Sequence, residues 1–125
     1  MSDIQLIKGS DALPFSAATI HNEVVYVSGQ VGFKPNTMEL VSDEVGEQAD
    51  QTFANIDAIL EEAGTSRDRI MRVCVYLVHC QRDFATMNGC FRAWLGDHRP
   101  ARSTIGVELA APGILIEADC VAALP

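Results

Sequence analysis

The chain has 125 residues, of which 48% are hydrophobic and 21% charged, so it fits a single folded domain over residues 1–125. Its net charge of −8 argues against a protein that neutralises nucleic-acid phosphates. An acidic surface also repels anions at long range, so any anion site has to be local and built around a particular cation.

The four cysteines and three histidines of the chain show no metal-ligand spacing, and no two cysteines form a C-x-x-C pair. We therefore expect free thiols and no metal site. The N-terminal residues lack the basic and apolar regions of a signal peptide. No apolar run approaches the roughly 20 residues of a membrane span. The sequence thus predicts a cytoplasmic protein that does not contact a membrane.

The first half of the chain predicts strands followed by a helix. Alternating and β-branched residues predict strands at 4–7, 17–20 and 24–29, the last two joined by a turn at 21–23. Between residues 44 and 63 apolar residues recur at intervals of three and four, which predicts a helix. Ser42 or Asp43 can cap its start, and Gly64 can end it.

The second half predicts a strand at 71–79, a helix from about 83 to Gly96, and strands at 101–109 and 114–122. The buried stripe expected for this helix consists of Phe84, Met87, Phe91, Trp94 and Leu95. The order predicts an α+β fold in which two helices cover one face of a mixed sheet. Because several strands are apolar on both faces, we expect a second copy of the chain to cover the other face.

The most informative candidate site lies on the last two predicted strands. If these form an antiparallel hairpin in which Leu109 pairs with Ile114, then Arg102 and Thr104 share a face with Glu117. A guanidinium binds a carboxylate through two parallel hydrogen bonds, and a partly desolvated glutamate can act as general acid or base. The alternative is an Arg102–Glu117 ion pair in an interface, without chemistry.

Several motifs, taken together, are typical of one family. They are LPFS at 13–16, VSGQVG at 27–32, the helical segment 49–60, AG at 63–64, DFATMN at 83–88, PARST at 100–104 and IEA at 116–118. With these the sequence resembles the RidA/YjgF family of reactive-intermediate imine deaminases over essentially its whole length. The resemblance implies a chorismate-mutase-like fold assembled as a homotrimer, with sites between subunits. It also implies hydrolysis of 2-imino acids, such as 2-iminobutanoate or 2-iminopropanoate, to 2-oxo acids and ammonia without a cofactor.

The resemblance also implies roles for individual residues. Arg102 matches the arginine that binds the substrate carboxylate, and Glu117 matches the glutamate associated with the catalytic water. Ser28 and Gly29 match residues that line the pocket, and Asn88 matches a family element near it.

Three positions depart from the family's usual pattern. Phe15 stands where a tyrosine is usual, so a hydroxyl is missing from the pocket wall. Thr104 stands where many members have cysteine. Arg99 stands where a hydrophobic residue is common, and it adds a positive charge near the mouth of the pocket.

These departures leave alternatives to an imine deaminase. Without the tyrosine hydroxyl, the protein could be a non-catalytic trimer that binds a small carboxylate and regulates a partner. With Phe15 and Arg99 it could instead deaminate a larger enamine acid such as 2-aminomuconate. Some family members have been described as ribonucleases, but the charge of −8 argues against that activity for this sequence.

Overall fold

A computed structural model of the protein describes residues 3–125 and has the α+β architecture that the sequence predicts. The strands are β1 (Gln5–Ile7), β2 (Ala18–His21), β3 (Val24–Val31), β4 (Ile70–Leu77), β5 (Ala101–Gly106) and β6 (Ile116–Ala123); the helices are α1 (Val45–Ala63) and α2 (Cys80–Leu95). The strands form one sheet in the order β1-β2-β3-β6-β4-β5. In residues 3–125 no helix is long and apolar enough to cross a membrane.

The predicted turn between the second and third strands is confirmed. Asn22 and Glu23 both adopt positive φ, at 50° and 67°, which is the conformation of a two-residue hairpin turn that follows the twist of the strands. The turn fixes an antiparallel pairing in which His21 lies opposite Val24. Alternate residues of these strands therefore face the helices, as the buried Val25 and Val27 show.

Both helices pack on the same face of the sheet through one hydrophobic core. Phe53 of α1 stacks on Trp94 of α2 with ring centroids 4.5 Å apart, and Phe91 meets both rings edge-on. Two details of the helix predictions are wrong. Helix α2 begins at Cys80 rather than near residue 83, and Glu44, not Ser42 or Asp43, occupies the position before α1.

The predicted hairpin between the last two strands is wrong. Strand β5 pairs in parallel with β4, and β6 pairs antiparallel with both β3 and β4. The physical reason is the β4-α2-β5 unit, a crossover connection that places its second strand parallel to its first. Strand β5 is thereby left at the edge of the sheet, and residues 107–115 lead the chain back to its centre.

A buried glutamine holds this returning segment in place. Gln48 of α1 is completely buried, and its side-chain amide donates to the carbonyl oxygens of Ser42 and Gly113, each at 2.9 Å. Its Oε1 accepts a hydrogen bond from the backbone N–H of Leu115 at 2.9 Å. Because a buried amide is costly unless its hydrogen bonds are made, Gln48 fixes where β6 enters the sheet.

The other face of the sheet is not covered by the described part of the chain. Leu6 on β1, Tyr26 on β3 and Ile105 on β5 have 67%, 50% and 45% of their surface exposed. We call this side the open face. Exposed apolar surface on a sheet is stabilised by burial, and a second copy of the chain on this face stays a prediction.

Candidate functional site

The residues predicted for the site fall into two groups. The basic half-site consists of Arg102 and Asn88 with the rings of Phe84 and Phe91, and it lies at the sheet edge against α2. The acidic half-site consists of Ser28, Gly29 and Glu117 with Asp119, and it lies on the central strands β3 and β6.

In the basic half-site, a helix and an edge strand orient one guanidinium. Arg102 of β5 donates from Nη1 to Oδ1 of Asn88 on α2 at 2.9 Å. Its Cζ lies 4.7 Å from the ring centroid of Phe91 and 5.6 Å from that of Phe84, within the range of cation–π attraction. In residues 3–125 the guanidinium has no carboxylate partner, so its charge is available to an anion.

Partial burial of Arg102 favours anion binding at the basic half-site. Burial lowers the pKa of Arg102 from its ordinary value, yet a guanidinium stays protonated at any physiological pH. A charge that has already lost part of its water gains more from a carboxylate than an exposed charge does. The half-buried Arg102 is therefore suited to binding an anion.

The acidic half-site depends on the missing side chain of Gly29. An ideal Cβ at this position would lie 2.9 Å from Cδ of Glu117 and would collide with its Oε2. Next to it the Ser28 hydroxyl donates to the carbonyl oxygen of Ser16 at 2.6 Å, which anchors the preceding loop. Gly29 thus leaves the space that the Glu117 carboxyl group occupies.

Glu117 is set up to exchange a proton. Burial raises the pKa of its carboxyl group above the ordinary value, and the nearby charge of Asp119 raises it further. Asp119 itself accepts a hydrogen bond from the Tyr76 hydroxyl at 2.9 Å. Within residues 3–125 the Glu117 side chain has no hydrogen-bond or ion-pair partner of its own, so its oxygens are free to hold a water or a substrate.

The structure does not bring Arg102 and Glu117 together, so the prediction that they share a face is wrong. Arg102 pairs with Val73, and Val73 pairs with the buried Cys120, so Arg102 faces the helices. Glu117 pairs with Tyr76 on the open face. Strand β4 lies between β5 and β6, which separates the two strands by two spacings of about 4.8 Å. The same geometry excludes an ion pair between Arg102 and Glu117 within one chain.

Of the other predicted site residues, Thr104 lies on the same strand as Arg102, whereas Phe15 lies apart from both half-sites. Thr104 pairs with Val75 and shares the Arg102 side of β5, as predicted. Phe15 precedes β2, near the opposite edge of the sheet from β5, and 53% of its surface is exposed. Phe84 was expected in the core, but 41% of its surface is exposed and its ring faces Arg102. The helical spacing predicted that Phe84 and Phe91 lie on one face of α2, but it did not predict that both rings lie beside the Arg102 guanidinium.

Among residues 3–125 no cluster of His, Cys, Asp or Glu is placed to hold a metal ion. Free thiols are present as predicted, and burial, followed by the charges of Asp119 and Asp57, raises the pKa of Cys120 to about 12. A thiol with so high a pKa is a poor nucleophile, so Cys120 belongs to the core and not to the chemistry.

Comparison with known proteins identifies the family. The sequence model described as Endoribonuclease L-PSP matches residues 9–124. The chain is 37% identical to a RutC family protein of Pyrococcus abyssi over 109 residues, which cover 87% of this chain and 85% of that protein. It is 33% identical to the human 2-iminobutanoate/2-iminopropanoate deaminase, also over 109 residues, covering 87% of this chain and 79% of the human protein.

Solved structures agree with this result. Yeast Mmf1 superposes with a TM-score of 0.88 at 30% identity, covering 98% of this chain and all of that one. A protein of the conserved Rid family from Yersinia pestis superposes with a TM-score of 0.91 at 29% identity, with the same coverage. The chain therefore belongs to the YjgF/RidA family, as the sequence motifs indicated.

Proposed function

We propose that the protein hydrolyses small 2-imino acids, such as 2-iminobutanoate or 2-iminopropanoate, to 2-oxo acids and ammonia. The observation that carries this proposal is the division of the site: an anion-binding guanidinium at the sheet edge and a proton-exchanging carboxyl group on the open face. An imine that carries a carboxylate needs one group of each kind. The named activity of the human relative supports the same reaction.

Each half-site has a defined part in the reaction. Arg102 binds the substrate carboxylate and so fixes the position of C2. Glu117 takes a proton from a water whose oxygen adds to C2, and it delivers that proton to the nitrogen, giving a carbinolamine. Glu117 then transfers the hydroxyl proton to the amine nitrogen, the C–N bond breaks, and ammonia and the 2-oxo acid remain. The raised pKa of Glu117 suits a group that both accepts and donates a proton during the reaction.

Since one chain holds the two half-sites on opposite faces, we propose that a complete site is formed between two copies within a homotrimer. The exposed Leu6, Tyr26 and Ile105 of the open face favour such an assembly, because apolar surface on a sheet is stabilised by burial. In this arrangement Arg102 comes from one copy and Glu117 from its neighbour.

Mixed oligomers test this proposal directly. Arg102→Ala and Glu117→Gln variants are each expected to lose turnover of 2-iminopropanoate, which a dehydratase generates in the assay. When the two variants are co-expressed with different tags and purified through both, every trimer contains both variants, and about one third of the sites combine an intact Arg102 with an intact Glu117. About that fraction of wild-type ammonia release is expected.

A matched control is co-expression of Arg102→Ala with the Arg102→Ala/Glu117→Gln double variant, which leaves no intact pair. If the complementing mixture is as inactive as this control, the site is not shared between copies. Wild type that is no faster than buffer would refute the deaminase function itself.

A second function is favoured by Phe15, which puts an exposed ring where a tyrosine hydroxyl is usual. In this alternative the trimer binds a small carboxylate and regulates a partner without turnover. Calorimetric binding of 2-oxobutanoate by wild type, together with no ammonia release from 2-iminopropanoate, would support it. Turnover that requires Glu117 would exclude it.

A further inference from the structure

A cleft of about 190 Å³ opens directly beside the guanidinium of Arg102. Its walls come from the second half of α2 and the segment that leads into β5, and they carry three arginines. The polar lining residues are Asn88, Arg92, His98, Arg99 and Arg102. In a chain with a net charge of −8, three guanidinium groups around one small cleft form a local basic site.

The topology places these cations at two positions along the cleft, which we call steps. Arg102 is at the first step, and Arg92 and Arg99 are at the second. Helix α2 connects the parallel strands β4 and β5, so it runs antiparallel to β5. Moving one turn along α2 from Asn88 leads to Arg92, and moving back three residues from Arg102 leads to Arg99. The 2.9 Å hydrogen bond joins Asn88 to Arg102. Arg92 and Arg99 are reached by moving in the same direction from these two residues, so they form the second step farther along the cleft. One turn of α2 advances about 5.4 Å along the helix, so the second step is several ångströms from the first.

None of these three charges is neutralised by the described part of the chain. The ion pairs found in residues 3–125 use Lys8, Lys34, Arg67 and Arg82. Arg92, Arg99 and Arg102 form none. His98 also lines the cleft, but its Nε2 lies 2.8 Å from the carbonyl oxygen of Ile70, which holds the ring against the sheet. Unpaired cations around a concave surface are the electrostatic signature of an anion site.

We propose that Arg92 and Arg99 bind a second anionic group of the substrate, so that the protein favours dianionic 2-imino or enamino acids over monocarboxylates. This inference rests on the proposed function, because it takes Arg102 as the site of the first carboxylate. The second group is a carboxylate or a phosphate several bonds away from the first, since the two cationic steps are separated along the cleft. A dianion that spans both steps contacts more positive charge than a short monocarboxylate does.

Binding of stable 2-oxo acid products tests the inference independently of turnover. Calorimetry compares 2-oxobutanoate with 2-oxoglutarate, 2-oxoadipate and 2-oxo-3-phosphooxypropanoate, using the full chain. The variants are Arg99→Ala, Arg92→Ala and the double variant. Lys8→Ala, in the loop after β1, is the control for the loss of one positive charge, and Lys8→Ala/Lys34→Ala is the control for the loss of two.

In wild type we expect the best dianion to bind about tenfold more tightly than 2-oxobutanoate. The double arginine variant is expected to lose this preference while its affinity for 2-oxobutanoate changes by less than about twofold, and both lysine controls are expected to keep it. Tighter binding of the phosphorylated acid than of the dicarboxylates would identify the second group as a phosphate; the reverse order would identify a carboxylate.

Equal affinity for mono- and dianions in wild type, or a preference that survives in the double arginine variant, would overturn the inference. A preference that the matched lysine control reduces equally would overturn it too, because it would reflect net charge alone. In each case turnover of 2-iminopropanoate by wild type still decides the proposed function separately.

Discussion

The two half-sites differ in how the protein holds the functional group. In the basic half-site Arg102 is held by contacts, with a hydrogen bond to Asn88 and two aromatic rings beside the guanidinium. In the acidic half-site Glu117 has no such partners within residues 3–125 and owes its position to the space left by Gly29. A group that binds a constant charge benefits from rigid orientation, whereas a group that passes a proton twice needs free oxygens and a tunable pKa.

The largest expected effect is on kcat, and it distinguishes the chemical step from substrate binding. Glu117→Gln keeps the shape of the side chain but removes its ability to accept a proton, so kcat for 2-iminopropanoate is expected to fall by about 10²–10⁴-fold. Calorimetric affinity for 2-oxobutanoate is expected to change little, because Arg102 is intact. A comparable loss of affinity would contradict the division of roles.

The same variant should be more stable than wild type at neutral pH. The pKa of Glu117 is raised in the folded protein, so its ionised form costs stability once the pH rises through that value. Below the unfolded value of about 4.3 this cost is absent. Thermal unfolding should therefore show a higher Tm for Glu117→Gln at pH 8 and no difference at pH 4. Glu62→Gln, at an exposed position of α1, serves as the control for charge removal.

A smaller loss is expected from filling the space beside Glu117. In Gly29→Ala the new methyl group would collide with the carboxyl group and force the end of the Glu117 side chain to move, so kcat should fall by roughly tenfold, while stability should change by less than about 1 kcal/mol because this side chain can adopt another rotamer. Gly89→Ala on α2 is the matched control, since nothing lies within 4 Å of a Cβ there. That control should gain up to about 1 kcal/mol of helix stability. Equal activity of the two variants would show that the position of Glu117 does not depend on Gly29.

The smallest expected effect concerns the pH dependence of the reaction. Asp119→Asn removes a negative charge that raises the pKa of Glu117, while Asn can still accept the Tyr76 hydrogen bond. If ionised Glu117 is the base, kcat/KM falls as the pH drops below its pKa, so this acid limb should move to lower pH in the variant. Glu62→Gln should leave the limb in place. A shift to higher pH would mean that Asp119 does not act on Glu117 by charge repulsion.

The sequence predicted the elements better than their arrangement. Helix α1 and the turn at Asn22 and Glu23 follow from local periodicity and local backbone preference, which one stretch of chain determines alone. The pairing of β5 and β6 was wrong because a segment with Pro112 and Gly113 fits a tight hairpin as well as a long return path. Deciding between them takes contacts from elsewhere, above all the buried amide of Gln48.

The candidate site shows the same limit. The residue types at Arg102 and Glu117 predicted an anion-binding guanidinium and a proton-exchanging carboxyl group, and these roles stay predictions. Their relation in space depends on β4 lying between their strands, and no feature of either segment reveals a strand between them. The aromatic neighbours Phe84 and Phe91 were missed as site residues because helical spacing does not distinguish a core ring from one at the sheet edge.

The position of β6 also bears on how the protein is made. The strand at the C-terminal end of the described chain occupies the middle of the sheet, between β3 and β4. During synthesis the ribosome therefore releases two unpaired strand edges before it releases the strand that joins them. Until residues 116–123 emerge, these edges are exposed to other nascent chains. The closing step pairs strands far apart in sequence, so it should be slow compared with formation of the helices.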